Sequence, residues 1–215
     1  GRTLLLKSRL PMSMYTIGDI CLRGDTTPHD AEVGKQWLQH AAENGYARAQ
    51  LCLGHTYLRS ETSTPEQKQC GVKWIRFAAE QGLVEAYIPL ALMYQHGTII
   101  PVNLAEALHW FKKAGDANNP HAQHMLGMMY EQGEGVEVNM KTAIKWYSQA
   151  ASQGYTKSVE ALTRLSQRGE NAARIALLTQ VSSGDDRSGG SALPAGTTAA
   201  EDSCTTTITT MTSTT

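Results

Sequence analysis

Histidine and cysteine are the side chains best suited to chemistry here, and the chain holds 7 of the first and 4 of the second. His121 and His124 stand at i, i+3, which puts both on one helix face, with His96 in the preceding segment. Neutral imidazoles at that spacing can converge on a metal ion such as zinc, but a zinc site takes three or four ligands. No acidic or cysteine residue recurs around them at ligand spacing. The expectation is therefore ordinary surface histidines, with neither metal nor cofactor. Cys21, Cys52, Cys70 and Cys204 include no Cys-x-x-Cys pair, which makes a poor zinc site and a poor disulfide framework. Cys21 is expected to be a buried thiol. Cys52 and Cys70 could approach across one helix pair, with free thiols expected, and Cys204 is exposed and able to form an intermolecular bond. Gly133-Glu-Gly135 lacks the Lys-Ser/Thr and the preceding strand of a phosphate loop. No Gly-x-Ser-x-Gly nucleophile context is present. The prediction is a protein with no catalytic residues.

The elements that would position any site come from a repeat. Trp37, Trp74, Trp110 and Trp146 fall 37, 36 and 36 residues apart, and a period of this length marks a repeat architecture. In the first half of each unit stand Leu53-Gly54-x-x-Tyr57, Leu90-Ala91-x-x-Tyr94 and Leu126-Gly127-x-x-Tyr130, with a degenerate Ile17-Gly18-x-x-Cys21. Ala49, Ala86 and Ala122 precede by four residues, and Ser13 does so in the first unit. These positions share one face of a first helix. The tiny residues there would let a second helix approach closely. The second half carries Ala107-x-x-Trp110-Phe111-x-x-Ala114-Gly115 and Ala143-x-x-Trp146-Tyr147-x-x-Ala150-Ala151, again at helical spacing. Gly45, Gly82, Asn118 and Gly154 are the expected left-handed stops. The tryptophans and the tyrosine series are expected in the core. One helix pair cannot bury its face alone, whereas stacked pairs can.

Composition narrows the function classes. Lys and Arg number 19 against 20 Asp and Glu, a net charge of -1, which argues against wholesale nucleic-acid binding. No apolar run approaches the ~20 residues of a membrane span. No Asn-x-Ser/Thr sequon occurs. A cytoplasmic setting is slightly preferred. The chain starts at Gly1, so a periplasmic or secreted protein that has lost a signal segment, and further repeats before Gly1, stay open. A monomer is preferred.

The phrase Ala-x-x-x-Leu-Gly-x-x-Tyr-x-x-Gly-x-Gly-Val followed by Ala-x-x-Trp-x-x-x-Ala-Ala-x-x-Gly resembles the Sel1-like repeat, a relative of the tetratricopeptide repeat. Residues 122–154 carry it closely, including Gly133, Gly135 and Val136, with 86–118 and 49–82 following and 13–45 matching loosely. The resemblance implies an all-α, right-handed α/α solenoid of about four helix-loop-helix units, 12–46, 47–83, 84–119 and 120–155. A lead-in (1–11), a polar C-terminal capping helix (156–174), and a linker with a disordered Ser/Thr-rich tail (175–215) complete the expected organisation. It implies an adaptor or scaffold binding a protein or peptide ligand in its concave groove. The alternatives are a hydrolase such as a β-lactam-active repeat protein, or a structural segment of a bacterial envelope complex. By the offsets of related arrays, the exposed groove positions are Tyr15, Asp19, Arg48, Leu51, His55, Arg59, Glu85, Ile88, Gln95, His121, His124, Met128 and Glu131. Their mixture of apolar, aromatic and charged character suits a peptide held by apolar anchors and polar orienting groups.

Overall fold

A computed structural model describes residues 10–19 and 28–184. Cys21, Cys204, the lead-in before residue 10 and the Thr-rich end from 185 lie outside the described residues. The chain divides into two compact units, 1–181 and 182–215, and of the second only 182–184 are described, all helical. Every regular element among the described residues is a helix. In chain order they are α1 (10–19), α2 (Pro28–Glu43), α3 (Ala47–Arg59), α4 (Pro65–Glu80), α5 (Tyr87–His96, entered through a 3-10 turn at Val84–Ala86), α6 (Leu104–Asp116), α7 (Pro120–Gln132), α8 (Met140–Ser152), α9 (Thr156–Gln167) and α10 (Asn171–Gly184). None is long and apolar enough to cross a membrane.

Local chemistry sets these boundaries. Thr64 accepts from the Gln67 backbone while the Gln67 side chain accepts from the Thr64 backbone, a reciprocal cap with Pro65 in the first turn. Asn103, Asn119 and Asn139 cap α6, α7 and α8 through their side-chain oxygens. The second helices stop where the sequence predicts: Asn118 takes φ 64°, and Gly45, Gly82 and Gly154 take φ 81°, 89° and 83°.

Successive helices pack as antiparallel pairs and the pairs stack into an α/α solenoid. What holds each pair is a small residue on the first helix facing a large one on the second. A Cβ on Gly54 would lie 2.5 Å from Ile75, and one on Gly127 would lie 2.5 Å from the Tyr147 ring. Leu38, Ile75, Phe111 and Tyr147 are all fully buried. Each directly follows a tryptophan of the repeat. The tryptophans themselves depart from the expectation of uniform burial: Trp110 is 5% exposed, but Trp37 is 36% exposed, and Trp74 and Trp146 are half-buried. Adjacent positions on a helix point about 100° apart, so only one of the two can aim at the small residue opposite, and it is the second.

The carboxyl end also differs from expectation. In place of one capping helix and a linker from residue 175, α9 is followed by α10. Ala173 is fully buried in a cluster with Leu162 and Leu165, and Ala176 and Leu177 pack onto it. α10 thus packs onto α9 through these residues, and its outer face carries Ile175 and Leu178, each 62% exposed.

Candidate interaction surfaces of the array

The first helices of successive units lie side by side, and equivalent positions form rows across them. Counting from the motif leucine, Arg48, Glu85 and His121 share one row. Arg48 Nη2 and Glu85 Oε1 are 3.7 Å apart, bridging two units, with both side chains about half exposed. Arg59, at the far end of α3, is exposed. Between these rims lie half-buried Ile88 and Met128, both against apolar clusters. Tyr15 sits at the amino end with its ring 5.3 Å from Tyr46, and Asp19 is half-buried. Gln95 donates to Glu134 at 3.3 Å. Its own Oε1 is the one buried side-chain polar atom among the described residues without a partner.

Three positions expected at the groove surface are not there. Leu51, His55 and His124 are each 8% exposed. Leu51 joins a core cluster with Tyr87 and Leu90 of the next unit, and α9 of the next unit covers His124. The case of His124 is clearest: its Nδ1 is 2.9 Å from the hydroxyl of Ser158 on α9, and its ring lies 5.3 Å from both Tyr147 and Tyr155. Burial, then the charges of His121, Lys157 and Arg164, lower His124 from the usual 6.5 to about 4, against an opposing pull from Glu131. His121 and His55 are lowered for the same leading reason, burial. The imidazole is therefore neutral at pH 7.

A serine hydroxyl against an imidazole has the distance of a nucleophile and its base. Ser158, however, is fully buried, so no substrate carbonyl can reach it, and the contact works as a helix-to-helix tie. Nor do three His, Cys, Asp or Glu side chains group to hold a metal among the described residues. Cys52 and Cys70 are not joined by a disulfide.

Glu131 is likewise less a groove residue than a structural one. Its carboxylate accepts from the Tyr147 hydroxyl at 2.9 Å and from Arg164 at 2.7 and 2.9 Å, locking α7, α8 and α9 together. It keeps 10% side-chain exposure. Burial and then the bond to Glu131 raise the Tyr147 phenol above its ordinary value. Charge reversal at Glu131 would thus strip two donors of their acceptor, whereas Arg48 and Arg59 can be reversed at the surface.

A further set of polar ties escapes the motif. Buried Gln50 and Gln123 each donate to the end of the preceding second helix, at Ala42 O and Gly115 O, both 3.1 Å. Each also accepts, at 2.7 Å, from a glutamine at the end of its own unit's second helix, Gln81 or Gln153. The sequence signal is the recurrence of Ala-Gln at 49–50 and 122–123 and of Gln-Gly at 81–82 and 153–154.

The comparisons with known proteins agree with this architecture. The Sel1 repeat model matches residues 11–46, 47–83, 84–119 and 120–155. A Sel1 repeat protein from Oxalobacter formigenes is 30% identical, with a TM-score of 0.65 over 71% of this chain and 62% of its own. A protective antigen present in uropathogenic Escherichia coli strains, displaying an SLR fold, is 29% identical, with a TM-score of 0.69 over 85% of this chain and 40% of its own. The chain thus spans under two thirds of the length of either structure. No curated protein matches it. Sel1 repeat proteins generally mediate protein–protein interactions and act as non-enzymatic scaffolds. With four units matched and helix pairs stacked as that repeat requires, the chain belongs to the Sel1 repeat family.

Proposed function

We propose that this protein is a non-catalytic adaptor that holds a protein or peptide segment along the first-helix face of its array. The observation that supports this most is a floor with rims. Ile88 and Met128 give a half-buried apolar floor, and exposed Arg48, Glu85 and Arg59 give charged edges. Non-repeating residues on a repeating scaffold are where binding specificity can be written, because the repeat fixes only the packing. Gln95 lies along the same face, tied to Glu134. Tyr15, Asp19 and His121 extend the same face. Leu51, His55, His124 and Glu131 support it from beneath.

The test is affinity capture from the source cell's extract with the full chain, beside an Arg48→Glu/Arg59→Glu variant. A captured protein that is lost by the variant, with the thermal melt unchanged, is the expected result. A capture profile identical for both proteins would sink the groove reading. Turnover of a chromogenic lactam that disappears on one substitution would replace an adaptor with an enzyme.

A further inference from the structure

The outer side of the array, where the second helices lie, carries two equivalent clefts one unit apart. The first, of about 890 Å³, is walled by Tyr94 and Trp110, with Arg76 from the preceding unit at its edge. The second, of about 500 Å³, is walled by Tyr130 and Trp146, with Lys112 in the place of Arg76 and Lys145 in the place of His109.

The two also differ in what surrounds the indole, Gln149 standing in the second where Lys113 stands in the first. In the first, the Trp110 Nε1–H donates to Glu106 Oε2 at 3.2 Å, while Lys113 Nζ lies 4.5 Å from the same indole. The protein thus supplies its own carboxylate to the indole, beside a cation. In the second, the residue equivalent to Glu106 is Thr142, which has no carboxylate to offer. The Nε1–H of half-buried Trp146 has no acceptor among the described residues, and it is not enclosed. Lys112 and Lys145 line the same cleft, and neither is within ion-pair distance of a carboxylate there. The cleft also holds one acid, Asp116.

We propose that the unit-four cleft binds an acidic side chain of a partner's extended segment, its carboxylate accepting from Trp146 Nε1–H between Lys112 and Lys145. The internal Glu106–Trp110 pair is the template for this contact. Charged acceptors make the stronger class of hydrogen bond, and two unpaired cations favour an anion over a neutral group. The choice of an acidic peptide over a nucleic acid follows from the neighbourhood. Asp116 here, and Glu80 and Glu106 in the adjoining cleft, repel a phosphate backbone, whose charges are fixed along the strand, whereas a flexible peptide can present one carboxylate to the indole and turn its others to solvent. The site is separate from the first-helix groove and stands or falls independently of it.

The test titrates the full chain with a hexaglutamate peptide, following the four tryptophan indole N–H resonances, with Trp146 assigned through Trp146→Phe. Hexaglutamine and a thymidine oligonucleotide run in parallel. The expected result is a saturable shift of the Trp146 indole with hexaglutamate alone, weakened roughly tenfold by Lys112→Gln/Lys145→Gln. Thr142→Glu installs the missing internal carboxylate near the α8 amino end, as Glu106 does for α6. It should move the free-state Trp146 resonance toward that of Trp110 and abolish the shift. Equal binding by wild type and Thr142→Glu overturns the proposal. So does a Trp146 shift with the oligonucleotide but not the peptide, or no Trp146 shift at any peptide concentration.

Discussion

Acidification should destabilise this array through His124 at pH values where most surface carboxylates remain charged. Folding takes the imidazole from 6.5 to about 4. Between those values the unfolded chain carries a proton that the folded chain refuses, so it binds more protons and stability falls as pH falls. The stabilising contribution is complete above 6.5, declines through the interval, and is gone below about 4. At about 1.4 kcal/mol per unit of pKa, the whole shift corresponds to an upper bound of roughly 3 kcal/mol, and the step from pH 7 to pH 5 to about 2 kcal/mol. The groups around the ring act consistently. Lys157 and Arg164 on α9 and His121 on its own helix disfavour the cation, Glu131 alone favours it, and Ser158, Tyr147 and Tyr155 enclose it. The assay is urea unfolding followed by circular dichroism at pH 7 and pH 5, for wild type and His124→Gln. Glutamine keeps a polar partner for Ser158 but cannot titrate, while His55 and His121 remain in both proteins and cancel. Wild type should lose more than the variant over this interval, by up to about 2 kcal/mol. Equal losses would show that the imidazole accepts a proton where it stands, and the account of its burial would fail.

Two packing predictions follow from the helix pairs. Gly127→Ala drives a methyl into the buried Tyr147 ring and should cost about 1–3 kcal/mol in urea unfolding. Adding Tyr147→Phe should cost less than the sum of the two single changes, because a ring without the hydroxyl tie to Glu131 can shift to admit the methyl; strict additivity would count against that coupling. Trp110→Ala should cost roughly 3–5 kcal/mol, as a buried aromatic does. Trp37→Ala, whose indole is 36% exposed, should cost roughly 1–2 kcal/mol, and equal falls in melting temperature would contradict the burial difference.

The helix pairs, their stops and their small–large contacts were all legible in the sequence, because each depends on residues close together or at a fixed period. Asn118 is a fair example: its place in the repeat requires a left-handed turn, and it makes one. Burial of the tryptophans was less legible. A 36-residue period says that a residue faces the same way in every unit, but not which way. The better signal was the neighbour, since Leu38, Ile75, Phe111 and Tyr147 vary in kind yet are always large and apolar. The packing of α10 onto α9 was hidden by composition. Ser182-Ser-Gly184 reads as linker, while Ala173, Ala176 and Leu177 ahead of it already carry the i, i+3, i+4 spacing of a helix face. The groove was legible only in part, because whether a first-helix position meets water depends on the unit stacked beside it. Nothing within residues 120–132 tells that Ser158 and Tyr155 will close over His124.

That dependence separates two kinds of position in the array. Where a residue meets its own unit, as Gly127 meets Tyr147, the contact must be remade in every unit, and the repeat preserves it. Where a residue meets the next unit, one side can change if the other answers. Leu51, Ile88 and His124 hold the same place in three units, yet only the last forms a hydrogen bond, with a serine on α9. Substituting the first-helix surface therefore carries a stacking cost at some positions and almost none at others. Arg48, Arg59 and Glu85 belong to the second group, as do Lys112 and Lys145 on the opposite side. A partner can be specified at those positions without disturbing the scaffold, and this is the physical reason to look for binding there rather than at the histidines and cysteines whose chemistry is more conspicuous.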